Sequence, residues 1–123
     1  MNYVNDPVLI AKRVYEAYIA KDRAAIEALI ADDFHFTSPR DNRIDRATYF
    51  SRCWPGSQMM DRIAFVRMVA DGDHVFATYD LRMNDGKAFR NTELLTVCDG
   101  KLIEAQVFFG WTLPHEAPEG GFI

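Results

Sequence analysis

Glu93 stands in "TELLTV", among strand-forming residues, and such surroundings could make a carboxyl reactive. Buried beside Leu94 and Phe109, it would have its pKa raised by loss of water and could serve as a general acid or base. A second set, Asp41, Arg43 and Asp45, falls in "DNRID", and an Asp-Arg-Asp set can polarise a water molecule. The plainer alternative there is a surface loop in which Asp45 caps the following helix. Arg90 could anchor an anion, or could simply reach Asp41 or another carboxylate.

Other chemistries lack their residues. His35, His74 and His115 show no metal-ligand spacing, so no metal site is expected. Strand alternation aims Ser38 and His35 to opposite sides, so they form no nucleophile–base pair. There is no G-x-S-x-G, no Walker loop and no G-x-G-x-x-G. Cys53 and Cys98 are far apart and form no C-x-x-C; two free thiols are expected, with a disulfide left open.

The elements that must position these groups can be read from periodicity. Asp6-Pro7 is a helix start, a carboxylate cap before a proline at the first helical position. Behind it Ile10, Val14, Ala17 and Tyr18 recur at helical spacing. Asp22 caps a second helix, "RAAIEALIA", with Ile26, Leu29 and Ile30 on its buried stripe. A short strand, 34–38, ends at Pro39. Asp45 then caps a third helix that runs through Trp54 and stops at Pro55-Gly56. From there the period is two. Strands are predicted at 62–70, 74–83, 88–98 and 101–111, separated by Asp-Gly turns. The tail, 112–123, is rich in Pro and Gly and reads as irregular. The whole chain, 1–123, reads as one α+β domain: three helices with one early strand, then a four-stranded antiparallel meander.

Counting through two-residue turns assigns side chains to faces. One face collects Ala64, Val66, Met68, Ala70, Val75, Ala77, Tyr79, Leu81, Thr92, Leu94, Thr96, Ile103, Ala105, Val107 and Phe109, with Arg90 at its rim. Val75, Tyr79, Leu94 and Val107 should therefore share one apolar hollow. The opposite face mixes Arg67, His74, Thr78, Asp80, Asn91, Glu93, Glu104 and Gln106 with Phe65, Phe76, Phe89, Leu95 and Phe108. That mixture predicts a homodimer interface. On this count Glu93 points outward, opposite Gln106; one β-bulge would turn it inward.

Apolar residues make up 49% of the chain and aromatics 13%, enough for a packed core. A net charge of -4 argues against nucleic acid or an anionic membrane as partner. No apolar run approaches a membrane span and the N-terminus has no secretory pattern, so a cytoplasmic location is expected.

In the order of its elements, and in "AKDRAAIEALIADDFHFTSP" and "ELLTVCDGKLIEAQVFFGW", the chain resembles the nuclear transport factor 2-like superfamily over residues 7–111. That superfamily includes ketosteroid isomerases, scytalone dehydratase, limonene epoxide hydrolase and SnoaL-like polyketide cyclases. The resemblance implies a curved sheet around helices with a cone-shaped cavity, often dimeric through the outer sheet face. It does not carry over the ketosteroid isomerase residues. The base position holds Ser38, the tyrosine position Val14 (Tyr15 adjacent) and the acid position Leu94 (Glu93 adjacent).

The resemblance implies a cavity lined from Tyr15, Tyr18, Phe36, Ser38, Trp54, Tyr79, Arg90, Thr92, Leu94, Phe109 and Trp111, suited to a small hydrophobic, cyclic ligand. Binding of such a molecule is the expected function. The alternative is a cofactor-independent isomerase, cyclase or dehydratase using Glu93, Asp41 or Asp45; neither reading calls for a cofactor.

Overall fold

The computed structural model describes residues 6–117 and 119. Helix α1 (Pro7–Ala20) begins where expected, with the Asp6 carboxylate accepting from the backbone N–H groups of Val8 and Leu9 at 3.0 and 3.4 Å. Helix α2 (Arg23–Leu29) is capped by Asp22, which accepts from Ala25 N–H at 3.1 Å. It stops two residues earlier than its periodicity suggests, because Ile30 already opens a strand. Strand β1 is Ile30–Ser38, and a short strand β2 (Asp41–Asp45) turns back along it. Helix α3 (Arg46–Arg52) is capped by Asp45, which accepts from Thr48 N–H at 2.9 Å. Trp54–Met59 forms a separate 3-10 helix, with Pro55 in its first turn. The long strands are β3 (Met60–Asp71), β4 (His74–Met83), β5 (Ala88–Cys98) and β6 (Lys101–Leu113).

The six strands form one sheet in the order β2-β1-β6-β5-β4-β3, antiparallel except where β1 runs parallel to β6. The fold is α+β. Helix α1 buries Ile10, Ala11, Val14, Tyr15 and Ala17, and its core partners include Val75, Leu95 and Leu102. Ile10, Ile26, Ile30, Phe34, Leu95 and Leu102 are the large fully buried side chains, each stabilising the fold by about 1.5–3 kcal/mol. Among the described residues no helix is long and apolar enough to cross a membrane.

The face assignment for β5 needs correction, and the cause is local. Between β4 and β5, Arg82 pairs with Ala88, and the turn closes with Gly86 N–H on Met83 O and Met83 N–H on Lys87 O. The loop therefore holds three residues, Asn84–Gly86, with Gly86 at φ +89°, rather than two. One extra residue inverts every side chain of β5 relative to β4. Ala77 faces Glu93 and Tyr79 faces Asn91, so Asn91, Glu93, Leu95 and Val97 point inward. Arg90, Thr92, Leu94 and Thr96 point outward.

A second slip restores β6. Cys98 pairs with Lys101 across Asp99-Gly100 as counted, but Thr96 pairs with Glu104 and Val97 with Leu102, leaving Ile103 as a bulge. The two errors cancel. Ala105, Val107 and Phe109 stay on the inner face while β5 alone is turned over. In β3 a further bulge at Val66 brings Phe65 and Ile63 inward and leaves Val66 and Ala64 out. Of the four residues expected around one hollow, Val75, Tyr79 and Val107 lie on the inner face and Leu94 does not. Strand β6 also runs to Leu113, two residues past its predicted end. Of the tail expected at 112–123, residues 118 and 120–123 lie outside the described residues.

Candidate functional site

A cavity of about 660 Å³ opens between α1 and the inner face of the sheet, within the size range of small-molecule sites. Helix α1 supplies Val14, Tyr15 and Tyr18; α3 supplies Tyr49, with Cys53 just beyond its end. The sheet supplies Phe36, Ile63, Tyr79, Leu81, Val107 and Phe109. Trp111 and Arg40 stand on its more exposed side. The wall is mostly apolar and aromatic, and its charged members are Glu93 and Arg40.

Glu93 is the chemical centre. It exposes 9% of its surface and projects from β5 between Ala77 on β4 and Val107 on β6, with Tyr79 diagonally across on the same face. Burial pushes its carboxyl up from 4.5 to about 7, against the pull of the Tyr79 and Tyr15 hydroxyls, which stabilise the charged form. Both protonation states are therefore accessible near neutral pH. The two phenols are pushed up as well: burial first, then the Glu93 charge, raises Tyr15 and Tyr79 above the ordinary tyrosine value. They remain protonated donors. The Tyr15 ring packs on Tyr79 at 5.2 Å and on Phe65 at 5.3 Å. Its hydroxyl is buried beside the Glu93 carboxyl and, among the described residues, has no partner at full hydrogen-bond geometry. A buried donor left open on a cavity wall is a place for a ligand oxygen.

Tyr18 and Tyr49 form a second polar point, their hydroxyls hydrogen-bonded to each other. Burial raises both phenols. Two hydroxyls sharing one hydrogen bond leave one O–H without a partner in that bond. Cys53 is held as the neutral thiol, pushed up to about 11 by burial and the nearby Asp41 charge.

Of the residues expected to line a cavity, Tyr15, Tyr18, Phe36, Tyr79, Phe109 and Trp111 do so. The other expected site residues lie elsewhere. Thr92 and Leu94 are carried to the outer face by the three-residue turn. So is Arg90, whose guanidinium grips Asp80 through bonds of 2.7 and 3.0 Å. Trp54 is buried behind the wall, its ring 5.0 Å from Tyr18. Ser38 donates to Asp41 at 2.8 Å and accepts from Arg40 N–H at 3.0 Å, which makes it a turn residue. Asp41 is taken up by Ser38 and by Arg52 at 2.8 Å, so this carboxylate ties the β1–β2 turn to α3. Asp45 is a helix cap, its pKa lowered by the Thr48 N–H it accepts. Arg43 lies outside, 3.0 Å from Glu104. Asn91 was missed as a site residue, and Glu93 was assigned outward. The signal that could have placed both was the Asn-Asp-Gly run, which also suits a three-residue turn.

The chain belongs to the SnoaL-like domain family, whose model matches residues 11–105. Among the curated proteins, none matches this sequence. Solved structures share its fold. A candidate ketosteroid isomerase from Kribbella flavida DSM 17836 superposes with a TM-score of 0.73 at 23% identity, over 93% of this chain and 83% of that one. An NTF2-like protein of unknown function from Cytophaga hutchinsonii gives 0.70 at 21% identity, over 89% and 92%. An LEH-like epoxide hydrolase of M. tuberculosis gives 0.70 at 17%, over 85% and 82%. At such identities the structural likeness is one of fold; the family match over residues 11–105 bears out the nuclear transport factor 2-like resemblance.

Proposed function

We propose that this protein is a cofactor-independent enzyme that moves a proton on a small, cyclic, hydrophobic substrate, with Glu93 as its general base and acid. The observation that carries the reading is the place of Glu93: a lone carboxyl on an apolar cavity wall, poised at about 7 between two phenols. A base works best when its pKa lies near operating pH. The step it suits is removal of a proton from carbon next to a carbonyl. The C–H proton passes to the Glu93 carboxylate and the electron pair moves onto the carbonyl oxygen. That oxygen accepts from the open Tyr15 hydroxyl. From a β,γ-unsaturated ketone, protonated Glu93 then returns the proton to the γ carbon, an isomerisation; or the enolate carbon attacks a second carbonyl, whose oxygen takes the proton back from Glu93, a cyclisation. Aromatic walls favour a flat ring system.

The test is deuterium exchange into β-tetralone, a flat bicyclic ketone with acidic α-hydrogens, followed by proton NMR. Wild type should accelerate exchange with a rate rising through pH about 7, and Glu93→Gln should lose about 100-fold or more. A second reading, a binder that performs no chemistry, draws on the largely apolar wall. It is preferred if β-tetralone binds both proteins equally and neither exchanges it. We also propose that the outer face of β3–β6, which bears exposed Val69, Phe76 and Phe108, forms a homodimer.

A further inference from the structure

We propose that Asn91 is a positioning residue: it directs the hydroxyl proton of Tyr79 onto Glu93, and it is itself held by the backbone of Gly110. The inference rests on Glu93 being the working acid–base group of the cavity. Asn91 and Glu93 are two apart on β5 and face the same way. Asn91 exposes 7% of its surface, so a side chain with two donors and two acceptor sites has been taken from water. Its partners define which end is which. Gly110 N–H donates to Asn91 Oδ1 at 3.3 Å. With the oxygen end so committed, the amide nitrogen must face the other way, and Nδ2 donates to the Tyr79 hydroxyl oxygen at 3.5 Å. A phenol oxygen that accepts from the amide keeps its own proton for another acceptor. The acceptor beside it is Glu93, diagonally across on the same sheet face, since Tyr79 pairs with Asn91 and Ala77 with Glu93.

The Gly110 N–H is available for this because the ladder breaks there. Asn91 pairs with Phe109 and Phe89 with Thr112, so Gly110 and Trp111 stand opposite Arg90 alone. A Cβ at 110 would lie 2.2 Å from the Arg90 carbonyl oxygen, so glycine permits the close approach. The bulge, the amide, the phenol and the carboxyl form one line from backbone to cavity. The titratable groups facing Glu93 from the packed elements are Tyr15 and Tyr18 on α1, Tyr49 on α3 and Tyr79 on β4; β6 presents Val107. Arg40 is the other charged residue of the wall.

The experiment needs no substrate. The side-chain carboxyl carbon of Glu93 is followed by NMR from about pH 4 to about pH 9 in wild type, Asn91→Leu, Tyr79→Phe and the double variant, bracketing the ordinary and raised values. Leucine keeps the branched shape of asparagine, with bulkier methyl groups, and removes its hydrogen bonds; Asn91→Ser is the second variant, smaller and too short to reach Tyr79. Wild type should titrate at about 7. Either Asn91 variant should raise the midpoint by about 0.5 to 1, as should Tyr79→Phe. The double variant should move no further than Tyr79→Phe alone. A purely structural role would shift the midpoint equally in both backgrounds, and that result, or no shift at all, overturns the inference. If wild-type Glu93 titrates near 4.5, the proposed enzymatic reading falls with it. If it titrates near 7 and ignores Asn91, the inference alone falls.

Discussion

Gly110 lies against Arg90 so tightly that a Cβ at 110 would stand 2.2 Å from the Arg90 carbonyl oxygen and 3.1 Å from its carbonyl carbon. Backbone, not a flexible side-chain end, occupies the space, so Gly110→Ala must push β5 and β6 apart. We expect it to cost about 1–3 kcal/mol in urea unfolding. The control is Gly56→Ala, where nothing lies within 4 Å of the added carbon; it should stay within about 0.5 kcal/mol of wild type. Equal costs at the two positions would contradict the packing described.

The limits of strand counting are visible in the same hairpins. β4 and β5 have the predicted ends, 74–83 and 88–98, because turn residues mark where strands stop. Which face a residue occupies depends on every intervening residue being paired, and Gly86, Ile103 and Val66 each break that count by one. Leu94 was therefore placed inside in exchange for Glu93, its neighbour. Tyr15, expected on the cavity wall, stands there, because a helix carries no turn length to miscount. Strand β2 does not show in the sequence: "DNRID" has four polar residues and no alternation, and Arg43 adopts φ +44°. The aromatic lining was legible as a composition. The meeting of Glu93, Tyr79 and Asn91 was not, because it is created by register.

Tyr18 and Tyr49 depend on each other. Tyr18→Phe leaves the buried Tyr49 hydroxyl without its partner and should cost about 1–3 kcal/mol by chemical denaturation. The Tyr18→Phe/Tyr49→Phe double variant removes both polar groups and should be destabilised by less than the sum of the two single changes. Strict additivity would mean that the pair contributes no coupling.

On the outer face of the sheet, Val69, Phe76 and Phe108 are 50%, 48% and 56% exposed, and Phe76 pairs with Val69 and Leu94. These side chains form a patch edged by the Asp80–Arg90 and Arg43–Glu104 ion pairs. A stable interface buries about 800 Å² per partner. Sedimentation should give a dimer for wild type and a monomer for Phe76→Glu/Phe108→Glu, with unchanged circular dichroism. A wild-type monomer at high micromolar concentration would rule the interface out.

Glu93 should leave its mark on stability as well as on catalysis. Its carboxyl is raised from 4.5 in the unfolded chain to about 7 in the folded protein, so the native state holds its proton more tightly. Stability from this group is fully present below pH about 4.5 and is lost as pH rises through about 7. The whole loss is about 3 kcal/mol, and it levels off once both states are ionised. Other groups titrate over the same range, so the comparison is with Glu93→Gln, whose amide has no proton to lose. Urea midpoints of the two proteins, measured across this range, should diverge steadily, with wild type falling below the variant on the alkaline side. Parallel curves would show that the carboxyl is not held where its burial puts it, and the acid–base reading of the cavity would fail at its source.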